Sequence, residues 1–179
     1  MKYINSRLAV AIVAVFCTVS FANAQEIITV KGSKPYPATQ NFTFICEKYA
    51  FTGETNVQIA KTEKGGILKI SIATANDKAR ISGGVYVDLA NGDVIACTDK
   101  NVKESAEGST TSYYYFTPAE MIKLKKSDIQ DVRFIITGTS KSFGNQTGYF
   151  TAVNKISYFS TEYDKSKKTF DTAAAISTL

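Results

Sequence analysis

The chain contains no histidine and no tryptophan among its 179 residues, and only three cysteines and three prolines. Without His there is no Ser-His-Asp or Cys-His nucleophilic site and no His-ligated metal. The sequence also lacks S-x-x-K, a phosphate-binding P-loop, G-x-G-x-x-G and C-x-x-C. Ser-Lys catalysis, nucleotide binding and thiol redox chemistry therefore have no signature here, and no cofactor is indicated. The missing Trp removes the strongest ring for a carbohydrate platform. It also removes a mark of immunoglobulin domains, whose Trp packs on their disulfide, and position 95 holds Ile95 where that family has Tyr. A dense basic stripe is absent too, so nucleic acid is not an expected partner.

What is present begins with an address. Met1-Lys2 and Arg7 precede the apolar run Leu8–Phe21, and Ala22-Asn23-Ala24 supplies a small-x-small cleavage site. Residues 1–24 read as a secretory signal peptide, with the mature domain covering 25–179. Cys17 lies in this run, but bulky Phe16 before it argues against lipidation. Removal of 24 of the 179 residues leaves 155, enough for one domain with its own core. Lys2 and Arg7 leave with the leader, so 21 basic residues become 19 against 16 acidic ones. No second apolar segment reaches the length of a bilayer span. The expected location is periplasmic, cell-surface or secreted. Asn41-Phe42-Thr43 and Asn145-Gln146-Thr147 are glycosylation acceptors only in a eukaryotic secretory route.

The domain is organised around Gly84–Thr98, GVYVDLANGDVIACT, where two alternating runs flank Asn91-Gly92. A two-residue loop sets Tyr86 opposite Cys97. A three-residue loop with left-handed Gly92 sets Val85 opposite Cys97 and Val87 opposite Ile95. The second register sorts apolar side chains better and turns Cys97 inward. Cys46 closes another alternating run, Phe42-Thr43-Phe44-Ile45-Cys46. Two cysteines in an exported domain predict a Cys46–Cys97 disulfide, closing a loop of about 50 residues and contributing about 4 kcal/mol. The alternative is two buried thiols.

The other strands read as Gln25–Gly32, Asn56–Lys61, Ile67–Ala73, Ser112–Phe116, Val132–Thr137 and Thr147–Asn154, with Lys155–Phe159 extending or following the last. Ser33–Gln40, with Pro35 and Pro37, reads as an extended connector, and Lys48–Thr55, Asp99–Ser109 and Gly138–Gln146 as loops or turns. Thr117-Pro118-Ala119-Glu120 is a capping box that opens a helix over about 117–126. Asp171–Leu179 suits a short terminal helix capped by Asp171. The fold class is mostly β: an antiparallel sandwich or a strongly curved sheet with one short helix and a second at the C-terminus.

Function is less legible. In Tyr113-Tyr114-Tyr115-Phe116, alternate rings point opposite ways. One pair fills the core, and the other offers an amphipathic surface, so Tyr113, Tyr114 and Tyr115 are the candidate binding residues. Asp88, Asp93 and Asp99, with Glu47, Glu104 and Glu107, allow a paired-carboxylate site, although acids near turns have conformational reasons to be there. Asp99, Asn101 and Glu104 resemble a calcium loop only faintly, and no metal is expected. Lys123–Lys126 and Lys165–Lys168 read as solvated basic faces. The reading is an exported, non-catalytic module of the cell envelope that binds a protein or glycan. Its rivals are a carboxylate-dependent hydrolase and a structural envelope component associating along a sheet edge.

Overall fold

A computed structural model describes residues 25–46, 53–106, 108–138, 148–157 and 168–179. The leader 1–24 lies outside the described residues, as do Glu47, Glu107 and most of the expected Lys48–Thr55 loop, Gly138–Gln146 turn and Lys165–Lys168 cluster.

The described residues form ten strands: β1 Glu26–Thr29, β2 Pro35–Ala38, β3 Phe42–Cys46, β4 Glu54–Thr62, β5 Gly65–Ala73, β6 Arg80–Leu89, β7 Val94–Ala106, β8 Ser109–Phe116, β9 Ile129–Thr137 and β10 Gly148–Val153. Their pairing runs β4-β3-β10-β9-β6-β7-β8-β5, and β5 pairs back to β4. The mostly-β reading holds, but the sandwich does not. Eight strands close into an antiparallel barrel, because the long β4–β5 hairpin, paired from Thr55↔Ile72 to Thr62↔Gly65, joins the two ends of the sheet. Closure leaves no edge in the ring itself.

The central hairpin takes the three-residue register, with Val85↔Cys97 and Val87↔Ile95, and Gly92 is left-handed at φ +89°. The expected extended connector and one expected loop hold strands instead. Pro35–Ala38 pairs with β1, where neither proline interrupts the barrel ladder. Asp99–Ala106 continues β7 through an irregularity between Asp99 and Lys103, where Asn101 sits at φ 55°. β10 ends at Val153, and residues 154–157 do not extend it.

Inward residues alternate as the sequence suggests. Phe42, Phe44, Leu68, Ile70, Val85, Val87, Phe134 and Phe150 fill the barrel. Two helices pack on the barrel core, α1 Pro118–Lys126 through Met121 and Leu124 and α2 Thr172–Ser177 through Ile176. In α1, Thr117 and Glu120 form the expected reciprocal cap, with Met121 and Leu124 buried. Ile122 is exposed rather than packed. In α2, Asp171 holds the N-cap position without a side-chain cap bond. The remote Asp128 accepts from the Ala173 N–H at 2.8 Å instead.

The expected Cys46–Cys97 bridge is not formed. Cys46 stands on β3 and Cys97 on β7, four strands apart whichever way the eight-strand ring is followed. A disulfide needs Cα atoms about 4.4–6.8 Å apart, the spacing of neighbours rather than of opposite walls. Burial, and then the Glu120 charge, push the Cys97 thiol well up, away from nucleophilic thiolate.

Outside the barrel lies a second apolar cluster. Ile28 and Val30 with Ala38 cover Ala60 of β4, Ile67 of β5 and Tyr113 of β8. The β1–β2 hairpin is thus a roof over one outer wall. The opposite outer wall, β6–β9–β10, keeps two large side chains open, Tyr86 and Tyr149.

Candidate functional site

The outer faces of β6, β9 and β10 assemble in rows set by register. Asp88 lies opposite Asp131, which lies opposite Val153; Tyr86 lies opposite Arg133, which lies opposite Thr151; and Ile135 lies opposite Tyr149. Between Ser82↔Ile135 and Tyr86↔Arg133 the ladder slips, and Gly83-Gly84 form a bulge. Gly83 is left-handed at φ +73°. At Gly84 a Cβ would stand 3.2 Å from the Tyr86 ring, so the missing side chain lets that ring lie back over the strand. The bulge leaves a hollow of about 310 Å³, lined by Gly84, Tyr86, Arg133, Ile135, Tyr149 and Thr151 among others.

Arg133 is fixed from two sides. Its Nε and Nη2 donate to the two oxygens of Asp88 at 2.6 and 2.9 Å. Its guanidinium carbon lies 5.3 Å from the centre of the Tyr86 ring. Nη1 has no partner among the described residues. Behind this pair, Asp131 is pushed up to about 6 by burial first, then by its hydrogen bond to Asp88 and the Asp88 charge, against the opposing pull of Arg133. The Asp88 hydrogen bond in turn raises Arg133 further, which keeps it charged.

This arrangement suits binding better than bond cleavage. A glycosidase needs two carboxyls about 5–10 Å apart with the scissile bond between them. Here Asp88 and Asp131 lie directly opposite each other on the β6–β9 ladder, and both Asp88 oxygens are occupied by Arg133. The other acids of the central hairpin point elsewhere. Asp93 pairs with Lys123 at 3.6 Å, and Asp99 pairs with Lys103 at 4.0 Å and accepts from the Asn101 N–H. Glu104 accepts from the Tyr113 hydroxyl at 2.8 Å rather than turning toward Asp99. Among the described residues no three metal-ligating side chains converge.

The tyrosine run does not form a surface. Tyr114 is fully buried inside the barrel, beside inward Phe116. Tyr113 points outward as its alternation requires, yet is buried under the β1–β2 roof. Only Tyr115 is open, with the Lys100 amine on its hydroxyl. Sequence reasoning missed Arg133 and Tyr149 as site residues and placed Tyr86 only by its strand face. The available signal was the Gly83-Gly84 pair just before Tyr86, a sequence that marks a bend or bulge in a strand.

No known protein family, curated protein or solved structure matches the chain. No described helix is long and apolar enough to cross a membrane.

Proposed function

We propose that this protein is an exported, non-catalytic binding module of the cell envelope, which recognises a protein or glycan through the open β6–β9–β10 wall. Export rests on the leader-like segment 1–24. The recognition surface rests on one observation: Arg133, held by both oxygens of Asp88 and by the Tyr86 ring, borders a hollow whose far side is the exposed Tyr149. A surface already fixed before its ligand arrives loses little side-chain entropy on binding. Tyr and Arg also contribute most where a few residues dominate recognition.

The test is capture from envelope extract, run beside a glycan-binding screen, with the wild type, Tyr86→Ala and Tyr149→Ala. Loss of the captured component in both variants, with unfolding midpoints unchanged, supports the reading. Retention in both defeats it.

The structural-component reading has one observation in its favour. β1 ends the sheet, pairs only with β2 among the described residues, and exposes Ile27 by 70 %. Sedimentation across a concentration series decides this: concentration-dependent dimers that are lost in Ile27→Lys would favour edge association.

A further inference from the structure

We infer that the hollow between Tyr86 and Tyr149 receives one uncharged sugar ring of a glycan, stacked on tyrosine and hydrogen-bonded at its rim by Arg133. This rests on the reading of the open wall as a recognition surface and names its ligand class.

The composition of the wall separates a sugar from a protein. A stable protein interface covers about 800 Å² per partner around a core depleted of charge. Here a charge, Arg133, stands in the central row of the hollow's rim, with Asp88 and Asp131 in the row beside it and the rings of Tyr86 and Tyr149 flanking it. A pyranose has the complementary pattern, an apolar C–H face for a ring and hydroxyls around its edge. Arg133 Nη1 and the hydroxyls of Tyr86, Tyr149 and Thr151 can donate to those oxygens. About 310 Å³ falls at the small end of ligand sites, which suits one ring of a chain with its neighbours lying along the wall.

Charge selects among sugars. The charged or titratable groups on this wall are Arg80, Tyr86 and Asp88 of β6, Asp131 and Arg133 of β9, and Tyr149 of β10, with Arg80 beyond the hollow in the row of Thr137; β7 beside them presents Val94, Ala96 and Thr98. Arg133 is offset by Asp88, and Asp131 adds a negative charge once ionised. A uronate, sulfate or phosphate ester therefore meets no net positive field.

The experiment passes the purified full chain over immobilised neutral oligosaccharides of glucose, galactose, mannose and N-acetylglucosamine, beside uronate-containing and sulfated ones, at pH 7.5. Expected is retention on a neutral glycan, weakened at least ten-fold by Tyr149→Ala and by Arg133→Ala. Tyr115→Ala, which removes an exposed tyrosine of β8, leaves it unchanged. Thermal unfolding of each variant separates lost contact from lost fold. Binding confined to anionic glycans, or neutral binding indifferent to Tyr86→Ala and Tyr149→Ala, overturns the inference. If no glycan is retained but an envelope protein is captured and lost in Tyr149→Ala, the sugar assignment fails while the recognition wall stands. If neither variant loses any partner, both fail.

Discussion

Tyr113 and Tyr149 both point outward from barrel strands, yet they are 2 % and 78 % exposed. The difference lies in what arrives from elsewhere in the chain. Over β4–β5–β8 the β1–β2 hairpin brings Ile28, Val30 and Ala38, and the outward Ala60, Ile67 and Tyr113 become a second core. Over β6–β9–β10 no described element packs, and the outward residues are a bonded Arg–Asp pair flanked by rings. An outward aromatic is thus structural on the roofed wall and available for recognition on the open one.

Alanine at the two tyrosines gives the largest contrast. Tyr113→Ala empties a buried site and strips Glu104 of its hydrogen bond, and it should cost about 3 kcal/mol. Tyr149→Ala should stay within about 0.5 kcal/mol of wild type. Urea unfolding of both variants measures the pair. Equal losses would mean that the second wall is also covered, and the comparison would collapse.

This contrast also marks how far the sequence could be read. Period-two alternation identified inward Phe42, Phe44, Val85 and Val87, and apolar sorting chose the hairpin register that is observed. The capping box placed the start of α1, with Thr117 as its cap. Alternation says which residues share a face, but not whether a distant hairpin will lie over that face. Tyr113 was therefore chosen for a surface it does not reach. Barrel closure was hidden for a related reason, since it depends on which far strands meet. Cys46 and Cys97 face inward as expected, yet strand order sets them on opposite walls. Mass analysis should find both alkylatable after unfolding without reductant. A protected pair would contradict the thiols seen here.

A smaller effect tests how the open wall is built. Gly83 has φ +73°, and a Cβ there would approach Ile135 Cδ1 to 3.1 Å. Gly83→Ala should cost about 1 kcal/mol, because a side chain is strained in that region and Gly is not. Gly84 has no such backbone demand. Gly84→Val should instead displace the Tyr86 ring and weaken ligand retention more than it lowers the unfolding midpoint. If it lowers both in proportion, the bulge serves the barrel rather than the site.

The smallest expected effect separates the walls by pH. Asp131 has a folded value of about 6, against about 3.9 for an unfolded Asp, so the native state holds its proton more tightly. The stability this contributes is complete below about pH 4 and is lost as pH rises through 6. Asp131 is only half-buried, and solvent screening limits the change to about 1 kcal/mol or less. Asp131→Asn fixes a neutral group of the same shape beside Asp88. The variant should match wild type near pH 4, exceed it near pH 7.5, and leave a flatter stability profile between them. Tyr113→Phe, which leaves the roofed wall packed, should keep the wild-type slope. An Asp131→Asn profile as steep as wild type would place the titrating group elsewhere, and the Asp88–Asp131 pair would then be ionised and held apart by Arg133 rather than joined by a shared proton.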